Sequence, residues 1–90
     1  MVKKATRKNS MLFCLQPENN ARRVMLAGDF NGWIPAEMLK SKSGLYSTEV
    51  ALSSGPHQYK FVVDGKWISD PDQNNRVTNS FGTINSVVTV

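Results

Sequence analysis

Hydrophobic and polar positions alternate along most of this chain, in short runs separated by turn signals. Met11, Phe13 and Leu15 alternate before Gln16-Pro17-Glu18-Asn19-Asn20 breaks the run. Val24 and Leu26 alternate before Gly28-Asp29-Phe30-Asn31-Gly32-Trp33 interrupts. Tyr46, Thr48, Val50 and Leu52 hold a period of two, and Ser53-Ser54-Gly55-Pro56 ends it. His57, Tyr59, Phe61 and Val63 repeat the pattern, and Asn85 to Val90 reads as a last Val-rich strand. Period two marks strands with one buried face. Only Ala36 to Lys42 suits a helical turn, with Pro35 to start it and Ser41-Lys42-Ser43-Gly44 to end it. Short strands at this spacing predict an all-β fold, an antiparallel sandwich or small barrel.

One hairpin can be derived residue by residue. Asp64-Gly65 between Val63 and Lys66 suits the positive φ angles of a type I′ turn. Val63 then pairs with Lys66, Val62 with Trp67, and Phe61 with Ile68. Paired residues share a sheet face, so Trp67 lies beside Val62, with Lys60 two residues along. The opposite face carries Tyr59, Phe61, Val63 and Ile68, the better core. The register predicts a tryptophan and a lysine side by side on the outer surface.

Composition narrows the function classes. Ninety residues make one domain with one thin core. A single cysteine, Cys14, excludes a disulfide scaffold and a multi-cysteine zinc site. It lacks a flanking basic group in a Gly-rich turn and reads as a small strand residue. The net charge of +4 resides in Lys3, Lys4, Arg7 and Lys8, because the seven other basic residues face seven acids. Residues 1–10 are therefore expected as a flexible basic arm, and residues 11–90 as a neutral folded body. A neutral body lacks the basic footprint of nucleic-acid binding. No apolar run approaches membrane-spanning length, and the arm lacks the long apolar stretch of a secretory signal. Cytoplasmic residence is the expectation.

Candidate catalytic groups are sparse. His57 is the only histidine and sits within a strand alternation, where a packed or edge role fits better than general-base work. Asp70 and Asp72 flank Pro71, and Asp-Pro-Asp is ordinary turn chemistry rather than a glycosidase pair across a cleft. Neither a phosphate loop nor a metal-ligand spacing is present. The chain reads as a non-enzyme without cofactor or metal. Binding is better supported. An exposed indole adds apolar surface unless it has a partner. The negative face of an indole suits the slightly positive C–H groups on one side of a glucose ring. Polar groups beside it, such as those of Asn79-Ser80-Phe81-Gly82-Thr83-Ile84-Asn85, would then reach the hydroxyls.

Taken together, Val24 to Trp33, Gly55 to Trp67, Asp70-Pro71 and Phe81 to Val88 resemble, in order and spacing, the glycogen-binding module of the AMP-activated protein kinase beta subunit. That family, carbohydrate-binding module family 48, includes the amino-terminal modules of branching and debranching enzymes. The resemblance covers residues 11–90. It implies an immunoglobulin-like antiparallel β-sandwich of the early-set type that binds α-1,4-linked glucan without cleaving it. It implies stacking tryptophans at Trp33 and Trp67, a lysine at Lys60, an apolar plug at Phe81, and hydrogen-bonding groups at Thr83 and Asn85. Two positions depart from the kinase modules. Phe81 stands in place of the usual leucine, which either alters the preferred ring size or turns the side chain inward. Gly32 stands where asparagine is frequent, within the loop that aims Trp33. The kinase-docking region and catalytic barrel of larger relatives do not follow Val90, so the chain is expected as a free-standing module or a fragment.

The partners implied are an α-glucan polysaccharide or a cyclic or linear malto-oligosaccharide, with a glycan-processing enzyme as a further partner. Shallow sugar sites of this kind give micromolar to millimolar affinity, on the order of −4 to −8 kcal/mol. A protein-interaction module without sugar binding is the second reading. A small barrel binding single-stranded nucleic acid is the third, weakened by the neutral body and by the lack of an aromatic run on one strand.

Overall fold

The computed structural model describes residues 1–18 and 20–90. Among these described residues ten strands follow one another: β1 (Val2–Lys4), β2 (Ser10–Leu15), β3 (Val24–Gly28), β4 (Ala36–Glu37), β5 (Leu39–Lys40), β6 (Tyr46–Ala51), β7 (Pro56–Val63), β8 (Lys66–Ile68), β9 (Arg76–Thr78) and β10 (Ile84–Thr89). One antiparallel sheet has the order β1-β2-β6-β5. The other runs β4-β3-β7-β10-β9, with β8 paired to the remaining length of β7. Two antiparallel sheets form the sandwich expected from the alternation and from the family resemblance.

The core lies between the sheets, where the alternating positions converge. Phe13 of β2 meets Tyr59 of β7 edge-on, with ring centroids 5.0 Å apart. Tyr59 in turn meets Phe61 edge-on at 5.8 Å. All three are fully buried, together with Val24 and Leu26. Such offset aromatic contacts stabilise a core beyond their buried area. The Tyr59 hydroxyl donates to Asp70 Oδ2 at 2.7 Å. Burial, reinforced by the Asp70 carboxylate, pushes the Tyr59 phenol far above its ordinary range, so it remains a donor. Asp70 also accepts the Asp72 N–H at 3.0 Å, as expected of Asp-Pro-Asp turn chemistry. Its complete burial is what the turn reading leaves out.

The β7–β8 hairpin has the derived register: Val63 pairs with Lys66, Val62 with Trp67, and Phe61 with Ile68. Asp64 and Gly65 take φ values of 49° and 84°. Both are left-handed, as a two-residue turn of this type requires.

Three expectations are corrected. Ala36 to Lys42 forms no helical turn. Ala36–Glu37 pairs with β3 and Leu39–Lys40 with β6, so the chain crosses between sheets at Met38, which is buried. Sheet edges offering unpaired backbone groups outweigh local helix preference over so short a segment. Residues 1–10 are not simply an arm. Val2–Lys4 pairs with Met11–Phe13, and the Met1 amine donates to Asp70 Oδ1 at 2.9 Å. The charge pattern suggests a tail, but lysines are equally at home on an edge strand. The last strand begins one residue early, at Ile84, and ends at Thr89.

Candidate sugar-binding site

The outer face of the six-stranded sheet carries the site. Tyr59 and Phe61 of β7 point into the core, so Gln58, Lys60 and Val62 take the opposite face. Pairing with Val62 places Trp67 on that same face. Gln58 pairs with Val87 of β10, and Asn85, two residues earlier, shares that face. Backbone alternation alone therefore gathers Gln58, Lys60, Trp67 and Asn85.

Trp33 arrives by a different route. Asp29–Asn31 forms a 3-10 turn directly after β3. Asn31 closes this turn on itself: its Oδ1 accepts the Gly28 N–H at 3.0 Å, and its Nδ2 donates to the Leu26 carbonyl at 3.1 Å. Asp29 ties the turn to β7, accepting the Gln58 N–H at 2.9 Å on Oδ2. Its Oδ1 lies 3.2 Å from His57 Nδ1, while His57 Nε2 lies 2.9 Å from the Ser53 carbonyl oxygen. His57 is thus a packed strand-end residue, as its place in the alternation suggests. Gly28 has room for no side chain. A Cβ there would lie 2.4 Å from the Phe30 ring and 2.7 Å from the Gln58 carbonyl oxygen. Gly32 and Trp33 then take φ values of 66° and 62°. A bulky residue in the left-handed region is strained, and such strain persists only where the surroundings impose it. Here the imposed conformation turns the indole over the sheet.

The third contribution is the loop between β9 and β10. Phe81 is 90% exposed. It stands up from the loop rather than turning inward, which settles one of the two alternatives for a bulkier residue at that position. Thr83 Oγ1 accepts from Lys60 Nζ at 2.9 Å. Lys60 is accordingly buried in the floor, which corrects the expectation of an exposed lysine beside the tryptophan. Lys60 lines the same hollow as Trp33, Trp67, Phe81 and Thr83. Trp67 itself is 45% exposed, as the register predicts for its face.

All six residues singled out in the sequence line one open hollow of about 520 Å³. Gln58, Asn79 and Ser80 complete the lining and were not among the six. Gln58 was within reach, because it shares the Lys60 alternation. Asn79 had the weaker signal of an asparagine opening a Gly-containing loop. The lining holds one cation and no carboxylate. Two indoles and a phenyl ring surround a polar floor, which suits a neutral, flat, polyhydroxylated ligand. The paired carboxylates of glycoside hydrolysis are not among these residues.

Comparisons with known proteins bear on the family and the fold. A family described as the glycogen recognition site of AMP-activated protein kinase matches residues 13–90. The beta-1 subunit of 5'-AMP-activated protein kinase from Sus scrofa is 38% identical over 69 residues, covering 77% of this chain and 55% of that protein. The human beta-1 subunit is 38% identical over the same share of this chain, which is 25% of the human protein. This chain therefore spans between a quarter and about half of those relatives. Among solved structures, a putative alpha amylase from Salmonella typhimurium superposes on 97% of this chain with a TM-score of 0.75. The identity there is 25%, over 14% of the amylase.

Proposed function

The chain belongs to the family of the glycogen recognition site of AMP-activated protein kinase, whose modules bind glycogen without catalysis, and from that premise we propose how this one holds its ligand. An α-1,4-linked glucan lies across the hollow, with glucose rings stacked on Trp33 and Trp67. Phe81 fills the concave side of the curved chain. Lys60, Thr83 and Asn85 hydrogen-bond the hydroxyls. The observation that carries this reading is the convergence of both tryptophans and Phe81, from three separate segments, on one acid-free hollow. Curvature favours cyclic and helical malto-oligosaccharides over straight β-linked chains.

The relatives are subunits of a kinase, and the solved neighbour is a putative amylase. In each the matching region is part of a longer chain, which supports a role in holding an enzyme at its glucan. A glycan-associated enzyme partner and cytoplasmic residence belong to the same proposal.

Co-sedimentation with glycogen tests the reading. Wild-type chain should pellet with glycogen, be released by soluble malto-oligosaccharide, and remain in the supernatant as the Trp67→Ala variant. A folded Trp67→Ala variant that pellets as wild type does would contradict it.

A further inference from the structure

Asn79 has a geometry that fixes more than the shape of its loop. Its Oδ1 accepts two backbone N–H groups, from Phe81 at 3.0 Å and Thr83 at 3.1 Å. A backbone N–H only donates, so the orientation of this amide is settled. Its Nδ2 must therefore face Thr83 Oγ1, at 2.6 Å, and Asn85 Oδ1, at 3.1 Å. Thr83 Oγ1 also receives Lys60 Nζ, another obligate donor, at 2.9 Å. A hydroxyl oxygen has two lone pairs, and both are now occupied. The only capacity left to the exposed Thr83 hydroxyl is its proton. The same polarity passes along the floor. With its Oδ1 committed to Asn79, Asn85 presents Nδ2 to Gln58 Oε1 at 2.9 Å. The Gln58 Nε2 protons then take no partner among the described residues.

We infer that Asn79 is a positioning residue that sets the polarity of the hollow, so that Thr83, Lys60 and Gln58 all offer it donors. This rests on the glucan reading and sharpens it. The ligand is recognised through oxygen lone pairs, so a polyhydroxylated or anionic sugar fits. A group that can only donate, such as a sugar ammonium, is left only the second lone pairs of Asn85 Oδ1 and Gln58 Oε1.

The test is a double-variant cycle on binding of a cyclic α-1,4-glucan, read by calorimetry. Asn79→Asp keeps an acceptor for the Phe81 and Thr83 N–H groups but replaces Nδ2 with an oxygen. The Thr83 proton then turns inward to that oxygen. Asn79→Asp should weaken binding by about tenfold, the scale of one lost charge-assisted or well-placed hydrogen bond, and Thr83→Val by a similar factor. In the Thr83→Val background, Asn79→Asp should cost less than it does in the wild type, because no hydroxyl remains to be turned and only the Asn85–Gln58 arm can still invert. A merely structural Asn79 would weaken both backgrounds equally, and that result overturns the inference. So does an Asn79→Asp variant that binds as wild type does. Side-chain amide exchange by NMR on the ligand-free chain supplies a second readout. The Asn79 Nδ2 protons should exchange with water more slowly than those of Gln58, and equal rates overturn the inference without any sugar present. Absence of wild-type binding overturns the glucan reading itself, a result distinct from wild-type binding that Asn79→Asp leaves untouched.

Discussion

Trp33 and Trp67 face the same hollow, and the chain mounts them in opposite ways. Trp67 rides on β8, two residues after the Asp64-Gly65 turn, and its direction follows from pairing with Val62. Its placement is local and unstrained. Trp33 rides on a 3-10 turn with its own φ at 62°, held by Asn31 to Leu26 and Gly28 and by Asp29 to β7. Its placement is tertiary and strained. A strand carries its side chain wherever the sheet goes. A loop carries its side chain only as long as every tether holds. The two halves of the stacking platform should therefore fail differently.

The largest effect is expected at Gly28. Gly28→Ala drives a methyl against the Phe30 ring and the Gln58 carbonyl oxygen, and the backbone oxygen cannot swing aside. A stability loss of about 3 kcal/mol is expected from overpacking of this kind, measured by urea denaturation. Binding by the folded fraction should fall as well, since the Trp33 turn must shift. Next come the indoles themselves. Trp67→Ala and Trp33→Ala should each cost about 2 kcal/mol of binding, or roughly 30-fold, from lost stacking area. Their stabilities should diverge. Trp67→Ala should leave the melting temperature nearly unchanged. Trp33→Gly should offset part of its packing loss by relieving about 1 kcal/mol of left-handed strain. Asp29→Ala cuts the tether to Gln58 and should weaken binding by about 1 kcal/mol through Trp33 alone. That loss should vanish in a Trp33→Ala background and persist in a Trp67→Ala background, measured by titration calorimetry. The smallest effect is expected at Gly65. Gly65→Ala should cost about 1 kcal/mol of stability for a side chain at φ 84°. The hairpin register, and with it binding, should survive.

The same contrast explains what was legible in the sequence. The strand alternations, the β7–β8 register and the face of Trp67 followed from residue spacing, because pairing and pleat are local rules. The packed role of His57 followed likewise. Trp33 was assigned only through the family motif, since nothing in Asp29-Phe30-Asn31-Gly32-Trp33 says by itself that Asp29 will reach β7. The burial of Lys60 escaped for a related reason. The pleat gives the face but not the partner, and Thr83, which accepts from Lys60, comes from a segment distant in sequence. The reading of Ala36 to Lys42 as a helical turn failed where two sheet edges recruited a short segment. The complete burial of Asp70 is set by Tyr59 and Ser86, which no spacing rule connects to a Pro-containing turn.

The central claim is that both tryptophans touch one α-glucan. Fluorescence titration of the single-tryptophan variants Trp33→Phe and Trp67→Phe tests it most directly, with a cyclic α-1,4-glucan as ligand and a β-1,4-linked oligosaccharide as control. The remaining indole in each variant should show a saturable change with the α-glucan alone, and the two titrations should each describe a single site. A response from Trp67 without one from Trp33, or from neither in folded protein, would contradict a shared platform.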